Sequence, residues 1–203
     1  MLDYKHMKQI TCVLFGRAGS GKGTQAKMLI EKLEQLDPNK KTLYIETGER
    51  LRSFMTGGSF SAKLVKETLS QGKLLGPFIP IWVWTGMLVD QCTGGENLVF
   101  DGVARRPEEA PILDTAMQMY SGASKPFVIH LDVPASEVTA RLLKRGRYDD
   151  IEDKIAERLK AYDVDVTRSV EYFKTSPAVQ FINVDGNQAP EKVHADIIQA
   201  LGL

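Results

Sequence analysis

Cysteine and histidine are scarce in this chain of 203 residues, which contains two cysteines and three histidines. Cys12 lies inside an apolar run and Cys92 stands beside a glycine-rich turn, and neither has metal-ligand spacing to another cysteine. Two thiols without a disulfide framework are typical of a reducing compartment. We therefore expect two reduced cysteines in a cytoplasmic protein.

An excess of charge of one sign is also lacking. The 26 Lys and Arg residues balance the 26 Asp and Glu residues, so the formal net charge is zero. A surface that coats nucleic acid or an anionic membrane would carry an excess of positive charge. We therefore expect neither nucleic acid nor a membrane as a partner. An enzyme that acts on phosphates could still gather its arginines in one cleft.

Long apolar runs are absent as well. The richest stretch, Leu74–Val89, is interrupted by two glycines and two prolines, and it is shorter than the roughly 20 residues of a membrane-spanning helix. The segment Met1–Gln9 carries an aspartate, two lysines and a histidine and has no apolar core. We therefore expect neither a transmembrane helix nor a signal segment here.

Short β-rich runs alternate with helical patterns along the whole chain. The β-rich runs are mostly continuous apolar segments, as expected for a parallel sheet that is covered by helices on both faces. The alternation predicts one α/β domain over residues 1–203, a three-layer fold with a five-stranded parallel sheet. The predicted strands are Ile10–Phe15, Thr42–Ile45, Leu98–Phe100, Phe127–Leu131 and Gln180–Val184, and the predicted helices are Thr24–Leu36, Glu49–Met55, Ser61–Ser70, Pro107–Tyr120, Ala135–Lys144, Ile151–Lys174 and Pro190–Leu201.

One interval interrupts this alternation. Residues Thr47–Ile79 are mainly helical and lie between the second and third predicted strands. We expect them to form an insertion that projects from the sheet. Trp82, Trp84 and Met87 follow at helical or turn spacing, and we predict that they belong to the core and not to a cofactor site.

The strongest motif is the glycine-rich segment Gly16–Lys22, which is followed directly by Gly23 and Thr24. It follows the first predicted strand and opens the first predicted helix, which is the context that a phosphate-binding loop requires. The glycines allow successive backbone N–H groups to point inward, and the helix adds its positive N-terminal end. The motif predicts a P-loop fold that binds a nucleoside triphosphate, but it does not by itself separate a kinase from a GTPase or an ATPase.

The end of this loop, Gly21-Lys22-Gly23-Thr24-Gln25, resembles the adenylate kinase family of nucleoside monophosphate kinases. Further segments resemble that family in order and in spacing, so that the resemblance covers nearly the full length. They are Thr47–Arg52, which would begin the monophosphate-binding insertion, Gln71–Leu75, which would close it, Phe100–Arg105, Arg141–Asp150 as the lid, Glu157–Leu159 after it and, more weakly, Asp185–Gln188.

The resemblance implies that the loop binds ATP together with Mg²⁺. Lys22 would reach between the β- and γ-phosphates, and Thr24 and Asp101 would hold the ion directly or through water. The charge on the transferring phosphoryl group would be stabilised by arginines, and no general base is needed because the acceptor is already an ionised phosphate. The ATP-binding residues implied are Gly19, Ser20, Gly21, Lys22, Gly23, Thr24, Arg145 and Gln188, and the catalytic residues implied are Lys22, Arg105, Arg145, Arg147 and Arg158.

The resemblance also implies an acceptor site for a nucleoside monophosphate, with AMP favoured. Arg52 and Arg105 would clamp its α-phosphate from two sides, because guanidinium groups suit bidentate contacts with phosphate. We expect ATP and this monophosphate to be the partners of a monomeric chain. The acceptor-binding residues implied are Thr47, Arg52, Lys73, Leu74, Leu75, Gly102, Arg105, Glu109, Arg147 and Arg158.

The lid departs from the family pattern because it is very short. Only Gly146 separates Arg145 from Arg147, so the lid cysteines that bind zinc in some bacterial members have no place, and we expect no structural zinc. Asp149 and Asp150 would pair with neighbouring arginines at the lid hinge, or would form an N-terminal cap for the helix from Ile151. The short lid and the missing prolines leave open a nucleotide-binding regulator with little catalysis.

Two further departures concern the segment around Arg105. Val103 and Ala104 stand where the family usually has an aromatic residue and a proline, so we expect the turn that presents Arg105 to be looser. Ala18 likewise stands where the family often has a proline in the phosphate loop. Glu109 stands where adenylate kinases usually carry glutamine. An ionised carboxylate only accepts hydrogen bonds, so it matches the donor pair of guanine better than adenine.

These features leave the acceptor's base open. Thr47 matches members that use AMP, whereas Glu109 would favour GMP or a pyrimidine monophosphate if it contacts the base. Glu109 could instead be a solvated charge on the helix from Pro107, in which case selectivity resides elsewhere. Among the arginines without motif support, we predict surface positions for Arg17, Arg106, Arg141 and Arg168.

Overall fold

The computed structural model describes residues 9–147 and 150–203, and the centre of this part is a five-stranded parallel sheet. The third strand of the chain and then the second lie on one side of the first strand, and the fourth and then the fifth lie on its other side. In such a sheet, ligands bind outside the carboxyl ends of the strands where the order reverses. The predicted α/β fold is confirmed. The strands are β1 (Thr11–Gly16), β2 (Thr42–Glu46), β3 (Asn97–Asp101), β4 (Phe127–Asp132) and β5 (Gln180–Asp185).

Helices cover both faces of the sheet. No helix within residues 9–147 and 150–203 has both the length and the apolar composition that a membrane-spanning segment needs. A short 3₁₀ segment, Pro107–Glu109, precedes the fifth helix, and a π-helical turn, Tyr162–Val166, joins the seventh to the eighth. The helices are α1 (Lys22–Leu36), α2 (Thr47–Phe54), α3 (Phe60–Ser70), α4 (Phe78–Gln91), α5 (Ala110–Tyr120), α6 (Ala135–Arg145), α7 (Glu152–Ala161), α8 (Thr167–Thr175) and α9 (Pro190–Leu201).

The central strand β1 is buried on both faces because its side chains alternate between two hydrophobic clusters. Val13 and Phe15 pack into a cluster with residues of α4, α5 and α8. Cys12 and Leu14 pack into the opposite cluster with residues of α1 and α9. Alternation of side chains across a strand explains why this segment is a continuous apolar run in the sequence.

The segment between β2 and α4 has a small hydrophobic cluster of its own. Leu51 of α2, Val65 of α3 and Val83 of α4 pack there together with Leu75. This packing agrees with the helical character predicted for Thr47–Ile79, while its role as an insertion stays a prediction. The helix α4 that follows was not among the predicted helices.

The two tryptophans of α4 have different environments. Trp84 is fully buried and packs edge-on against Phe100 of β3. Trp82 is 56% exposed and meets only the edge of Phe54 among the described aromatic rings. The core position predicted for Trp84 is confirmed, and the one predicted for Trp82 is wrong. Residues two positions apart on a helix point to different sides of it, so Trp82 and Trp84 cannot both face the sheet.

Both cysteines are free, as predicted. Cys12 is fully buried in β1, and burial raises the pKa of its thiol to about 12. Cys92, at the end of α4, donates a hydrogen bond to Glu96 (3.3 Å). A thiol with a raised pKa is a poor nucleophile, so Cys12 acts here as a small apolar side chain.

Candidate active site

The glycine-rich loop lies between β1 and α1, at the point where the strand order reverses. Gly19 and Gly21 have positive φ angles of 83° and 97°, which favour glycine. A Cβ atom on Gly19 would lie 2.9 Å from Leu142 Cγ and 3.1 Å from the Val138 carbonyl oxygen of α6. The loop therefore depends on glycine for its backbone path and for its close approach to α6.

The mouth of this loop suits a phosphate group. The Ser20 hydroxyl is buried and has no hydrogen-bond partner among the described residues. The N-cap of α1, Gly21, faces open space, since a Cβ atom there would meet no atom within 4 Å. Orphan donors at a helix N-terminus that opens to solvent form a ready anion site.

Lys22 is held inside the loop by the backbone. Its ammonium group donates hydrogen bonds to the carbonyl oxygens of Gly16 (2.8 Å) and Arg17 (2.9 Å). Burial lowers the pKa of Lys22 to about 8; the carboxylate of Asp101 opposes this shift, and the charges of Arg105 and Arg145 add to it. Residues that are far apart in sequence therefore concentrate positive charge at the loop, as an anion-binding site requires.

Asp101 ends β3 next to the start of α1. Its Oδ2 accepts a hydrogen bond from the Tyr44 hydroxyl (3.1 Å) and would lie 3.5 Å from a Cβ atom on Gly23. Thr24 is exposed one residue further on. No group of three His, Cys, Asp or Glu side chains converges on a metal position within residues 9–147 and 150–203. A Mg²⁺ ion here would depend on phosphate oxygens and water for most of its ligands, which is its usual mode of binding.

Arg105 is an exposed residue in the loop after β3, and the residues just before it are buried. Val103 and Ala104 are buried, whereas Arg105 is exposed and its Nε donates to the Gly102 carbonyl oxygen (2.9 Å). Ala104 has a φ angle of 51°, in the left-handed region. Proline cannot adopt this angle because its ring fixes φ near −65°. The loop in this conformation therefore excludes a proline at position 104, where the resemblance led us to expect one.

The first turn of α2 lies against the same loop. The Thr47 hydroxyl donates to the Gly102 carbonyl oxygen (2.7 Å), which ties α2 to the end of β3. Arg52 lies 3.8 Å from a Glu46 carboxylate oxygen and is largely exposed. Lys73, before the turn at Leu74, is also exposed. Both cations are therefore accessible to an anionic ligand.

An open cleft joins the phosphate loop, the loop after β3, the Gly72–Leu74 turn and α7. It brings together several predicted site residues, among them Lys22, Leu74, Gly102, Arg105 and Arg158. Other predicted site residues do not line it in the described part of the chain: Gly19, Ser20, Gly21, Gly23, Thr24, Thr47, Arg52, Lys73, Leu75, Asp101, Glu109, Arg145, Arg147 and Gln188.

Asp150 accepts hydrogen bonds from three arginines that the resemblance implied to be catalytic. Arg145 donates two hydrogen bonds to its carboxylate (2.8 Å each), Arg158 donates one (2.9 Å), and the Arg147 backbone N–H donates another (3.2 Å). Burial alone would raise the pKa of Asp150, but the hydrogen bonds from Arg145, Arg158 and Arg147 outweigh it and lower this pKa. The predicted pairing of Asp150 with arginines is confirmed.

The alternative role of Asp150 as a helix cap is wrong. The N-cap of α7 is Ile151, and no side chain caps it. The carboxylate of Asp150 is instead directed at the arginines, because their guanidinium groups offer stronger, charge-assisted hydrogen bonds. Asp149 lies outside the described residues.

Three arginines that were predicted to lie on the surface are partly exposed, and they also tie separate segments of the chain together. Arg17 donates to the Val133 carbonyl oxygen and pairs with Asp163, and Arg141 donates to Gly186 and Asn187. Arg106 donates to the carbonyl oxygens of Leu74 (3.2 Å) and Leu75 (3.1 Å) and pairs with Asp165 at 3.4 Å. These partners lie far away in sequence, so no local pattern reveals them, although Arg141 also pairs with Glu137 one helical turn away. Arg168 is exposed, as predicted.

Gln188 lies in the loop after β5 and is half-buried. Its amide nitrogen donates to the Asp185 carbonyl oxygen (2.9 Å) and to Asp196 (3.3 Å). The same loop is held to α6 by Arg141. Its place at the carboxyl end of β5 keeps it at the same edge of the sheet as the phosphate loop.

Glu109 is 1% exposed, so its interpretation as a solvated charge is wrong. Its Oε1 accepts a hydrogen bond from the Arg106 backbone N–H (3.0 Å). Burial raises the pKa of Glu109 to about 7, although the hydrogen bond from the Arg106 backbone and the charges of Arg105 and Arg106 act to lower it. The carboxyl group is therefore part of the loop that presents Arg105.

Comparison with known proteins identifies the family. A family model described as adenylate kinase matches residues 14–178. An adenylate kinase of Bacteroides fragilis is 31% identical over 196 residues, which cover 95% of this chain and 98% of that protein. One of Mycobacteroides abscessus is 33% identical over 193 residues, covering 94% of this chain and 98% of that protein. The chain belongs to the adenylate kinase family and is an enzyme of the nucleotide kinase class.

Proposed function

We propose that this enzyme transfers the γ-phosphoryl group of ATP, bound with Mg²⁺, to AMP and so forms two molecules of ADP. The observation that supports this most strongly is the cleft in which Lys22, Arg105 and Arg158 meet between the phosphate loop and the Gly72–Leu74 turn. Such a cleft offers positive charge to a donor phosphate on one side and to an acceptor phosphate on the other. Phosphoryl transfer depends mainly on such positioning and charge.

On the donor side, the loop Gly19–Thr24 would bind the triphosphate through backbone N–H groups. Lys22 would exchange its two carbonyl contacts for phosphate oxygens. Thr24 and Asp101 would hold Mg²⁺, in part through water, and the ion would neutralise charge on the β- and γ-phosphates. Asp150 would orient Arg145 and Arg158 toward the transferring group.

On the acceptor side, Arg52 and Arg105 would bind the α-phosphate of the monophosphate. Both are exposed; Arg52 lies on α2, whose first residue Thr47 donates to the Gly102 carbonyl oxygen, and Arg105 donates to the same oxygen. Residues 47–79 would form the acceptor-binding insertion, and residues 141–150 the lid. The turn at Leu74 and Leu75, whose carbonyl oxygens accept hydrogen bonds from Arg106, would close the acceptor site.

The test is a coupled assay with ATP and Mg²⁺ against AMP, GMP, CMP, UMP and dAMP, which reports the diphosphate formed. Rapid use of AMP with little transfer to the other bases would support the proposal. Preference for GMP or a pyrimidine monophosphate would replace AMP as the acceptor, and no transfer to any of the five would overturn the proposal.

Raising the pH through 8 is expected to weaken ATP binding. The free protein loses the Lys22 proton near pH 8, whereas the complex with anionic phosphates retains it, so the dissociation constant should rise by up to about tenfold per pH unit between pH 8 and pH 9.5. Isothermal titration calorimetry over pH 7–9.5 measures this directly. Lys22→Arg is the matched control, because arginine stays charged; a flat profile in the wild type would contradict the prediction.

A further inference from the structure

The side chain of Glu109 is enclosed by the loop that carries Arg105. Its neighbours along this loop, Val103 and Ala104, are likewise buried, whereas Arg105 itself and Glu108 are exposed. Glu109 Oε2 is out of contact with water and has no hydrogen-bond partner among the described residues. A carboxyl group is costly to bury and stays buried only where its interactions compensate.

The compensating interactions all involve the segment 104–106. The Arg106 N–H donates to Glu109 Oε1 at 3.0 Å, and the Glu109 N–H donates back to the Arg106 carbonyl oxygen at 2.9 Å. The Ala104 backbone and the charges of Arg105 and Arg106 also favour the ionised carboxylate. Backbone groups on both sides of Arg105 therefore act on one buried carboxyl group.

This segment needs such support because its conformation is unfavourable for its sequence. Ala104 has a φ angle of 51°, in the left-handed region that residues other than glycine rarely adopt. A residue remains in that region only when its surroundings determine it. Within the described part of the chain, the Arg105 side chain donates one hydrogen bond, to the Gly102 carbonyl oxygen, so its direction depends on the backbone path of the loop.

We propose that Glu109 is a positioning residue, whose buried carboxyl group holds residues 104–106 in the conformation that directs Arg105 into the cleft. The inference rests on the proposed function for the role of Arg105. Glu109 thus supplies the rigidity that a proline at position 104 cannot supply in this conformation. It acts through Arg105, whose side chain lines the cleft.

The test compares Glu109→Met, which keeps the length but removes the acceptor oxygens, with Glu109→Gln, which retains one. Glu108→Met is the matched control on the exposed neighbour. Glu109→Met should lower kcat with AMP by about tenfold or more, because small displacements of a positioning group are costly, while the KM for ATP changes less than about twofold. Glu109→Gln should restore most of the loss, and Glu108→Met should leave the rate unchanged.

A double-mutant cycle with Arg105→Ala separates positioning from other roles. When Arg105 is absent, Glu109→Met should lower kcat by less than about twofold further, since there is nothing left to position. An equal loss in both backgrounds would overturn the inference, as would an unchanged rate in Glu109→Met alone. A rise in the use of AMP relative to GMP in Glu109→Gln would assign Glu109 to the base instead.

Separate control experiments distinguish a loss of folding from a failure of the proposed function. Thermal unfolding and near-ultraviolet circular dichroism check each variant, and Glu109→Ala replaces Glu109→Met if the latter does not fold. If the wild type transfers no phosphoryl group to AMP, the proposed function fails. The inference is then tested by calorimetric binding of AMP, where Glu109→Met should weaken affinity in the wild-type background and not in Arg105→Ala.

Discussion

Replacing Arg105 with alanine is expected to lower kcat for transfer to AMP by roughly 1,000-fold, the scale seen when an arginine that stabilises a phosphoryl-transfer transition state is removed. Arg105 lines the cleft with Lys22 and acts electrostatically on it, since its charge contributes to the lowered pKa of Lys22. Removing this guanidinium takes positive charge from the place where the transferring group would pass. The reduction should therefore appear in kcat as well as in the KM for AMP.

The fold should tolerate this change. The Arg105 side chain is exposed, and it donates a hydrogen bond to the Gly102 carbonyl oxygen of its own loop. Surface substitutions of this kind usually alter the free energy of unfolding by less than about 0.5 kcal/mol. The melting temperature and the affinity for ATP should thus remain near the wild-type values.

Two control variants sharpen the measurement. Arg168→Ala removes an exposed arginine of α8 for which no role is proposed, and it should keep full activity. Arg105→Lys keeps the charge and loses the planar fork, so an intermediate rate is expected. Wild-type turnover in Arg105→Ala would show that Arg105 does not take part in transfer.

The sheet and most helices could be predicted from the sequence, because burial on both faces produces apolar runs such as that of β1. The helix α4 was missed since its segment contains Pro77, Pro80 and Gly86, which resemble helix breakers. Pro77 is the N-cap and Pro80 lies in the first turn. Prolines are tolerated there because the first N–H groups of a helix have no intrahelical partner.

The segment Ile151–Lys174 was predicted as one helix, and it is helical except at its first residue, but a π-helical turn divides it at Tyr162–Val166. The Tyr162 ring lies 4.8 Å from the guanidinium carbon of Arg17, and its hydroxyl lies 2.7 Å from His130 Nε2. These contacts come from the phosphate loop and from β4. A change of helical pitch that accompanies distant contacts has no signature in the local sequence.

The candidate site was located by motifs, but its internal connections were not predicted. Motif spacing identified Lys22 and Arg105, which the cleft brings together. It did not reveal that Arg106 holds Leu74 and Leu75, or that Glu109 is buried. Both depend on segments that meet only in the folded chain, so a residue beside a motif could not be distinguished from an ordinary surface charge.

Replacing Asp150 with asparagine is expected to lower both stability and activity. Its carboxylate is inaccessible to water and accepts hydrogen bonds from Arg145 and Arg158, whose side chains are 34% and 20% exposed. An amide cannot compensate two guanidinium charges, so the free energy of unfolding should fall by about 2–3 kcal/mol. This is less than for a fully buried pair, because water screens both arginines in part. The turnover should fall by about tenfold, since both arginines lose their orientation.

The pH dependence separates this carboxylate from a general effect of the substitution. The pKa of Asp150 is lowered in the folded chain, so its stabilisation is present above the unfolded pKa of about 3.9 and is lost as the pH falls through the folded value. Urea unfolding of the wild type and of Asp150→Asn should therefore differ by a constant amount from pH 5 to pH 8 and converge under strongly acidic conditions. Asp153→Asn, on the exposed first turn of α7, is the matched control and should change stability by less than about 0.5 kcal/mol. Equal stability of Asp150→Asn and the wild type at pH 7 would mean that the carboxylate does not hold Arg145 and Arg158 in solution.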